Sequence, residues 1–268
     1  STIIEILSIY LMAGILLASF IAAYAVTKGN TRLNRIFAIL SGLVGVFLFG
    51  YLLELNSDSL PQMIFWNQIQ YIALPFYPAF WLLLSMTYTD QRPKKTVRLK
   101  RGLIFVIPTL TFLIRLTNDW HHLYYRSMSM GHTAGFPVML LEKGPWYYLN
   151  WAYIGVCLIY ATRLYLRQKN LPRAMMRGHY LMLASSLMPY LALCLILINP
   201  YNSGLDFTAI IMPISLYLVM VALFRYDFLA VQTLARDIVF EKGKDALILI
   251  DAQHLIKDSN QRAKLIFP

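Results

Sequence analysis

Residues 3–55 read IIEILSIYLMAGILLASFIAAYAVTKGNTRLNRIFAILSGLVGVFLFGYLLEL. Two apolar stretches, 3–26 and 35–55, flank a short gap that carries Lys28, Arg32 and Arg35. Each stretch is close to the ~20 residues that carry a helix across ~30 Å of hydrocarbon. Five more of comparable character follow at 63–89, 102–118, 146–166, 176–198 and 207–224. Positive charge gathers in every second gap. The gap after 89 holds Arg92, Lys94, Lys95, Arg98, Lys100 and Arg101, and the gap after 162 holds Arg163, Arg167, Lys169, Arg173 and Arg177. The three alternate gaps carry only Arg126 and Lys143. The positive-inside rule then places the N-terminus outside and the C-terminus inside. The expected fold is an all-α membrane protein, a seven-transmembrane helix bundle with an extracellular β-hairpin between helices 4 and 5.

Composition agrees. Of 268 residues, 58% are hydrophobic, which excludes an ordinary soluble domain. A net charge of +11 would suggest nucleic acid in a soluble protein. Here most of it falls where anionic lipid attracts it, so membrane lipids are the expected partner and nucleic acid is not. Cys157 and Cys194 both lie inside expected spans and read as packing residues, with no disulfide, metal or cofactor expected. The first span is longer than a signal-peptide core, no cleavage pattern clearly follows it, and it reads as retained.

The connection at 119–145 contains two runs rich in apolar and aromatic residues, Leu123–Met130 and Phe136–Leu141, around Gly131-His132-Thr133-Ala134-Gly135. Those runs predict the hairpin, turning between the two glycines. After span seven, Phe228–Lys242 reads as a helix, and Phe224, Phe228, Val231, Ala235 and Ile238 form a seam suited to a homodimer partner or to the chain's own bundle. Ala246–Ile250, a turn at Asp251–Gln253 and Leu255–Ile256 then suggest two short strands and the beginning of a helix at Asn260. The expected organisation is a membrane domain at 1–226, a linker helix at 227–244 and the start of a further domain at 245–268.

Polar groups at membrane depth are costly and point to function. Asn67, Gln70, Tyr71, Leu74, Tyr77, Trp81 and Ser85 follow one another at steps of three or four, which puts them on one helix face. That face either lines an outward-opening pocket or glues helices together. Pro75 and Pro78 predict a kink or irregular turn, a reasonable moving part. Glu54 and Arg115 stand near outer helix ends, where they pair, contact a ligand or snorkel. Asp206 suits a helix N-terminus. His121 and His122 are adjacent and cannot converge on one metal, and His179 is expected at the inner interface. Trp66, Trp146, Tyr147, Tyr148 and Trp151 suggest an interfacial belt, with the shaping of a ligand entrance as the alternative for some of them.

Several stretches together resemble the seven-transmembrane N-terminal sensor region of bacterial histidine kinases and diguanylate cyclases. They are Tyr51-Leu52-Leu53-Glu54, the run Gln70 to Pro78 with Trp81 to Tyr88, Thr117 to Tyr124, and Gly144 to Tyr148. Phe224 to Leu229 and Ala235 to Glu241 resemble that family's exit into the cytoplasm, and Ala246 to Asn260 resembles the first strands of a PAS domain. The resemblance implies a sensory input in a bacterial cytoplasmic membrane. It would relay an extracellular or membrane-borne stimulus (small molecule, lipid or peptide) through Arg225, Asp227 and Phe228 to a cytoplasmic kinase or cyclase. The sequence holds no kinase His box, Gly-rich ATP lobe or Gly-Gly-Asp-Glu-Phe signature, so this chain is expected to catalyse nothing. The alternative is a seven-helix transporter, which would need matching halves or a mid-membrane charge. Span seven lacks the lysine of a retinal pigment, and Asn199-Pro200-Tyr201 precedes span seven, unlike its place in G-protein receptors.

Overall fold

The computed structural model describes residues 2–89, 102–168, 171, 173–198, 204–229, 240–250, 254 and 256–267. The basic run at 92–101, Lys169, Asn199–Tyr201, residues 230–239 of the expected exit helix and the turn at Asp251–Gln253 lie outside the described residues.

Helix α1 (Thr2–Lys28) pairs along its length with α2 (Arg32–Leu55). It buries Leu11, Gly14, Ala18, Ile21 and Ala25 at alternating steps of three and four. It exposes Ile6, Ile9, Leu16 and Phe20, the expected arrangement where the outer surroundings are hydrocarbon. Thr31 caps α2 by accepting the Asn34 amide N–H, and the Asn34 side chain donates back to the Ala25 carbonyl at 2.8 Å. The segment expected as span three is split into α3 (Leu60–Gln70) and α4 (Tyr77–Thr89). Between them the chain tightens. Ile72, Ala73 and Phe76 donate to carbonyls three residues back at 3.0–3.1 Å. Pro75 and Pro78 have no N–H to continue a regular ladder.

Helix α5 (Val106–Leu116) leads through the single turn α6 (Asn118–His121) to a two-stranded antiparallel sheet, β1 (Tyr125–Thr133) with β2 (Phe136–Lys143). Pairing runs past Gly131 and His132 to Thr133 opposite Phe136, so the turn is tighter than the Gly131–Gly135 loop read from the sequence. Ala134 and Gly135 at its tip both have positive φ, 51° and 86°, as the favoured two-residue connection requires. Helix α7 (Pro145–Leu166) starts directly after β2. The Gly144 N–H donates to the Tyr124 carbonyl at 2.7 Å, and a Cβ on Gly144 would lie 2.3 Å from the Leu123 carbonyl oxygen.

Helices α8 (Arg173–Ile198) and α9 (Phe207–Arg225) pack together. Ser185 and Ser215 each donate to the other's carbonyl at 3.2 Å. Among the described residues four helices are long and apolar enough to cross a membrane, namely Thr2–Lys28, Arg32–Leu55, Arg173–Ile196 and Phe207–Arg225. Of the other expected spans, the third is split, the fourth contributes the shorter Val106–Leu116, and α7 carries Tyr147, Asn150 and Trp151 on its inner side. The molecule is a helical membrane protein with a small sheet.

At the end of α9 remote from the hairpin, Asp227 takes a left-handed φ of 47° and turns the chain back into the bundle. Phe228 is thereby buried, its ring 4.8 Å from that of Tyr88 and 6.1 Å from that of Phe37. Phe224 stacks on Phe20 at 5.2 Å. The first two residues of the proposed dimer seam are thus engaged within their own chain. His179, expected at an interface, is buried instead. Its Nε2 donates to the Tyr165 carbonyl and its Nδ1 meets the Tyr88 hydroxyl, both at 3.1 Å, which satisfies the ring away from water. Cys157 is buried and Cys194 exposed. Beyond, β3 (Ile248–Ile250) pairs antiparallel with β4 (Ile256–Ser259) ahead of α10 (Gln261–Ile266). Asn260 caps that helix and donates to the carbonyls of Phe240 and Asp245.

Gly144→Ala must push apart the α7 start and the Leu123 carbonyl, with an expected loss of about 1–3 kcal/mol. Gly155→Ala, where nothing lies within 4 Å, is the matched control and gains up to about 1 kcal/mol of helix propensity. Thermal melting of both variants in detergent checks the contrast.

Candidate functional site

A cavity of about 490 Å³ opens among α2, α3, α4, the hairpin, α7, α8 and the start of α9. Its position follows from a close crossing. A Cβ on Gly50 would lie 2.7 Å from Gln70 Cγ and 3.1 Å from the Trp66 carbonyl oxygen, so only glycine lets α3 lie this near α2. Gln70 is thereby brought against Glu54, one turn further along α2, and its amide donates to the buried carboxylate. The Asn67 side chain also acts on Glu54. On its other side, Asn67 Oδ1 accepts from Arg115 Nε at 3.2 Å and Nη2 at 2.8 Å. Arg115 is 1% exposed, with its guanidinium 5.6 Å from the Tyr71 ring centroid and 5.3 Å from that of Tyr125. Such contacts favour a desolvated cation. Glu54 and Arg115 therefore do not pair directly. The amide of Asn67 stands between them.

A tyrosine cluster closes the hairpin side. The Tyr71 hydroxyl lies 2.9 Å from that of Tyr124 and 2.8 Å from that of Tyr125. Asn150 of α7 donates to Tyr124 at 3.4 Å, accepts from Thr111 at 3.3 Å, and Trp146 Nε1 donates to Thr111 at 3.0 Å. Asn118 fixes the approach to β1. Its Oδ1 accepts the backbone N–H groups of both Tyr124 and Tyr125 at 3.0 Å. Burial pushes the phenols of Tyr124 and Tyr125 up, which keeps them protonated and able to donate.

Asp206 caps α9 by accepting the Thr208 N–H at 2.9 Å, and its own N–H donates to the Tyr51 hydroxyl at 2.8 Å. Burial raises its carboxyl above the ordinary range, opposed by the helix N–H groups and by Lys143. Lys143 Nζ stands 5.8 Å from the Tyr147 ring centroid.

Of the residues expected to bind a ligand, Glu54, Asn67, Gln70, Tyr71 and Tyr77 line the cavity. Trp81 and Arg115 do not. Trp81 is buried and donates to Ser186 at 3.2 Å, while Arg115 braces the wall from behind. Of the expected relay residues, Pro78 lines the cavity, Pro75 is buried in the irregular turn, Arg225 and Asp227 are exposed, and Phe228 is buried. Sequence reasoning did not assign Tyr51, Tyr124, Tyr125, Lys143 or Asn150 to a pocket. It read Tyr147 and Trp151 as an interfacial belt or as part of a ligand entrance, and Asp206 as a cap alone. The α7 signal was available, because 147, 150, 151, 154 and 158 share one helix face. Among the described residues no three potential metal ligands converge.

Asn67→Ala leaves the Arg115 guanidinium buried without its acceptor, and Arg115→Ala leaves Asn67 unsatisfied. Each single change is expected to cost about 3 kcal/mol. The double variant is less destabilised than the sum, by roughly 2 kcal/mol of coupling. A double-mutant cycle on melting in detergent measures this.

Because the folded-state pKa of Asp206 is raised, the folded chain holds that proton more tightly than the unfolded one. Its stabilisation is complete below the unfolded value and declines as pH rises through the raised value. Asp206→Asn keeps a good cap without the titration. Its melting temperature relative to the parent is expected to climb as pH goes from about 4 to about 7; a difference constant with pH would contradict this.

A family model described as the N-terminal 7TM region of histidine kinase matches residues 10–232, a span that contains the whole cavity. No curated protein matches the chain.

Proposed function

Because the chain belongs to the family of N-terminal 7TM regions of histidine kinases, we propose that its cavity receives the stimulus and that α9 carries the response to a cytoplasmic output. It is a membrane sensory region rather than a catalytic domain. In this reading the chain crosses a bacterial cytoplasmic membrane seven times, with the split α3–α4 segment as one crossing. The N-terminus and the β1–β2 hairpin lie outside, and the basic gaps and the C-terminus lie inside. Residues 1–226 form the sensor, 227–244 a linker helix that pairs two copies, and 245–268 the start of a PAS-like domain leading to a kinase or cyclase. Membrane lipids surround the bundle, and the stimulus is a small molecule, lipid or peptide.

The observation that carries this reading is the reach of one helix. Asp206, Phe207, Thr208, Ile211, Met212 and Ser215 line the cavity, and the same helix ends beside Asp227 and Phe228. Nineteen residues of helix span about 28 Å, so α9 joins cavity to exit without an intermediary. The irregular turn at Pro75 and Pro78 gives the opposite wall a place to bend. The stimulus must bind two arrangements of the bundle unequally, since equal binding shifts nothing.

Ala192 lines the cavity, and Ala192→Trp fills it. In the full-length receptor this variant is expected to express normally and lose stimulus-dependent change in output. Phe228→Ala is expected to retain stimulus binding while shifting the basal output. Measuring output against stimulus in membranes checks both. An unaltered response in the filled variant would overturn the cavity as the input site.

A further inference from the structure

We propose that the cavity selects a small organic cation, an amine or quaternary ammonium held between Glu54 and Asp206. The assignment rests on the reading of the cavity as the stimulus site and adds the ligand's charge class. Two carboxylates address the same space from different elements, Glu54 from α2 and Asp206 from the start of α9. They are near enough for Asp206 to act electrostatically on Glu54, and Tyr51, whose hydroxyl accepts the Asp206 N–H, feels both.

Among the described residues no cation makes a salt bridge with Glu54, and Arg115 acts on it only through space, with the amide of Asn67 between them. Gln70 and Asn67 offer Glu54 amides, and the Arg115 guanidinium is spent on Asn67 and on two tyrosine rings. Among the described residues the one ion pair is Lys28–Asp227, at 3.7 Å and at the other end of the bundle. Lys143 acts on Asp206 but carries no such contact with Glu54. A buried carboxylate without an ionic partner is costly unless a counter-charge arrives from outside.

The walls suit that counter-charge. Tyr51, Tyr71, Tyr147 and Trp151 line the space, and electron-rich rings attract organic cations as well as they attract Arg115. A volume of about 490 Å³ holds a ligand of many atoms, far more than a bare metal ion. An anionic ligand would face two carboxylates against one lining lysine, Lys143, which already acts on Asp206.

The test titrates the 268-residue chain in an uncharged maltoside detergent with choline, tetraethylammonium and phenethylamine, following heat and tryptophan fluorescence. The control probe is the neutral alcohol in which carbon replaces choline's nitrogen. At least one cation is expected to bind, and at least tenfold more tightly than the neutral isostere. Glu54→Gln and Asp206→Asn, with folding checked by circular dichroism and melting, are each expected to weaken that binding at least about thirtyfold. Equal affinity for the neutral isostere, no binding by any of the three cations, or undiminished binding in both folded variants overturns the assignment. The stimulus reading falls separately. Cation binding by the parent, combined with a full-length Ala192→Trp receptor that responds like the parent, would leave the charge class standing and remove the cavity from signalling.

Discussion

Arg115, Asn67, Gln70 and Glu54 hold one another in place because the hydrocarbon around the bundle can satisfy none of them. The Arg115–Asn67 bonds join α5 to α3, and the Gln70–Glu54 bond joins α3 to α2. Tyr71, next to Gln70, extends the same network to Tyr124 and Tyr125 at the root of the hairpin. One wall of the cavity is therefore a continuous polar chain across four elements. In low dielectric, each link strengthens its neighbours and none can be removed without stranding another. The cavity persists for the same reason. Its polar lining is committed to fixed partners, so the walls cannot collapse inward without losing them.

Close backbone approach is the condition for that network. Gly50 lets Gln70 reach Glu54. Gly14 serves the same purpose between α1 and α9, since a Cβ there would come within 2.8 Å of Pro213 Cγ. The reciprocal Ser185–Ser215 bonds fasten α8 to α9. Packing of small residues and satisfied hydroxyls takes the place that the hydrophobic effect holds in water.

Much of the site was legible as periodicity. Asn67, Gln70, Tyr71, Leu74 and Tyr77 were read as one face, and all five line the cavity. Trp81 stands one turn beyond Tyr77 in the same regular helix, past the cavity, where its Nε1 donates to Ser186. The Glu54–Arg115 relation was legible as proximity but not as chemistry, because nothing in the spacing announces an amide between two charges. The burial of His179, and the choice for Phe228 between a partner helix and its own bundle, were not legible for a shared reason. Their partners, Tyr88 and the Tyr165 carbonyl for one and Phe37 and Tyr88 for the other, come from helices distant in sequence. The left-handed Asp227 that turns Phe228 inward has no sequence signature of its own.

The proposed relay gains a physical form from how α9 is held. At one end its first turn is tied to the cavity through the Asp206 cap, and Asp206 is tied to α2 through Tyr51. At the other end Phe228 is inserted between α2 and α4, against Phe37 and Tyr88. Both anchors meet the same helix α2, so α9 cannot move along it without repacking one of them. In the proposed relay a charge arriving beside Asp206 acts on the cap, and Phe228 keeps or leaves the seat it occupies against Phe37 and Tyr88. Packed interiors move between such seats in steps rather than by gradual deformation. A ligand that favours one seat by about 1.4 kcal/mol changes the ratio of the two tenfold, whereas one indifferent to them changes nothing. Under that proposal the coupling needs only a small difference in how the cavity holds its ligand in two positions of α9, and no contact between ligand and exit.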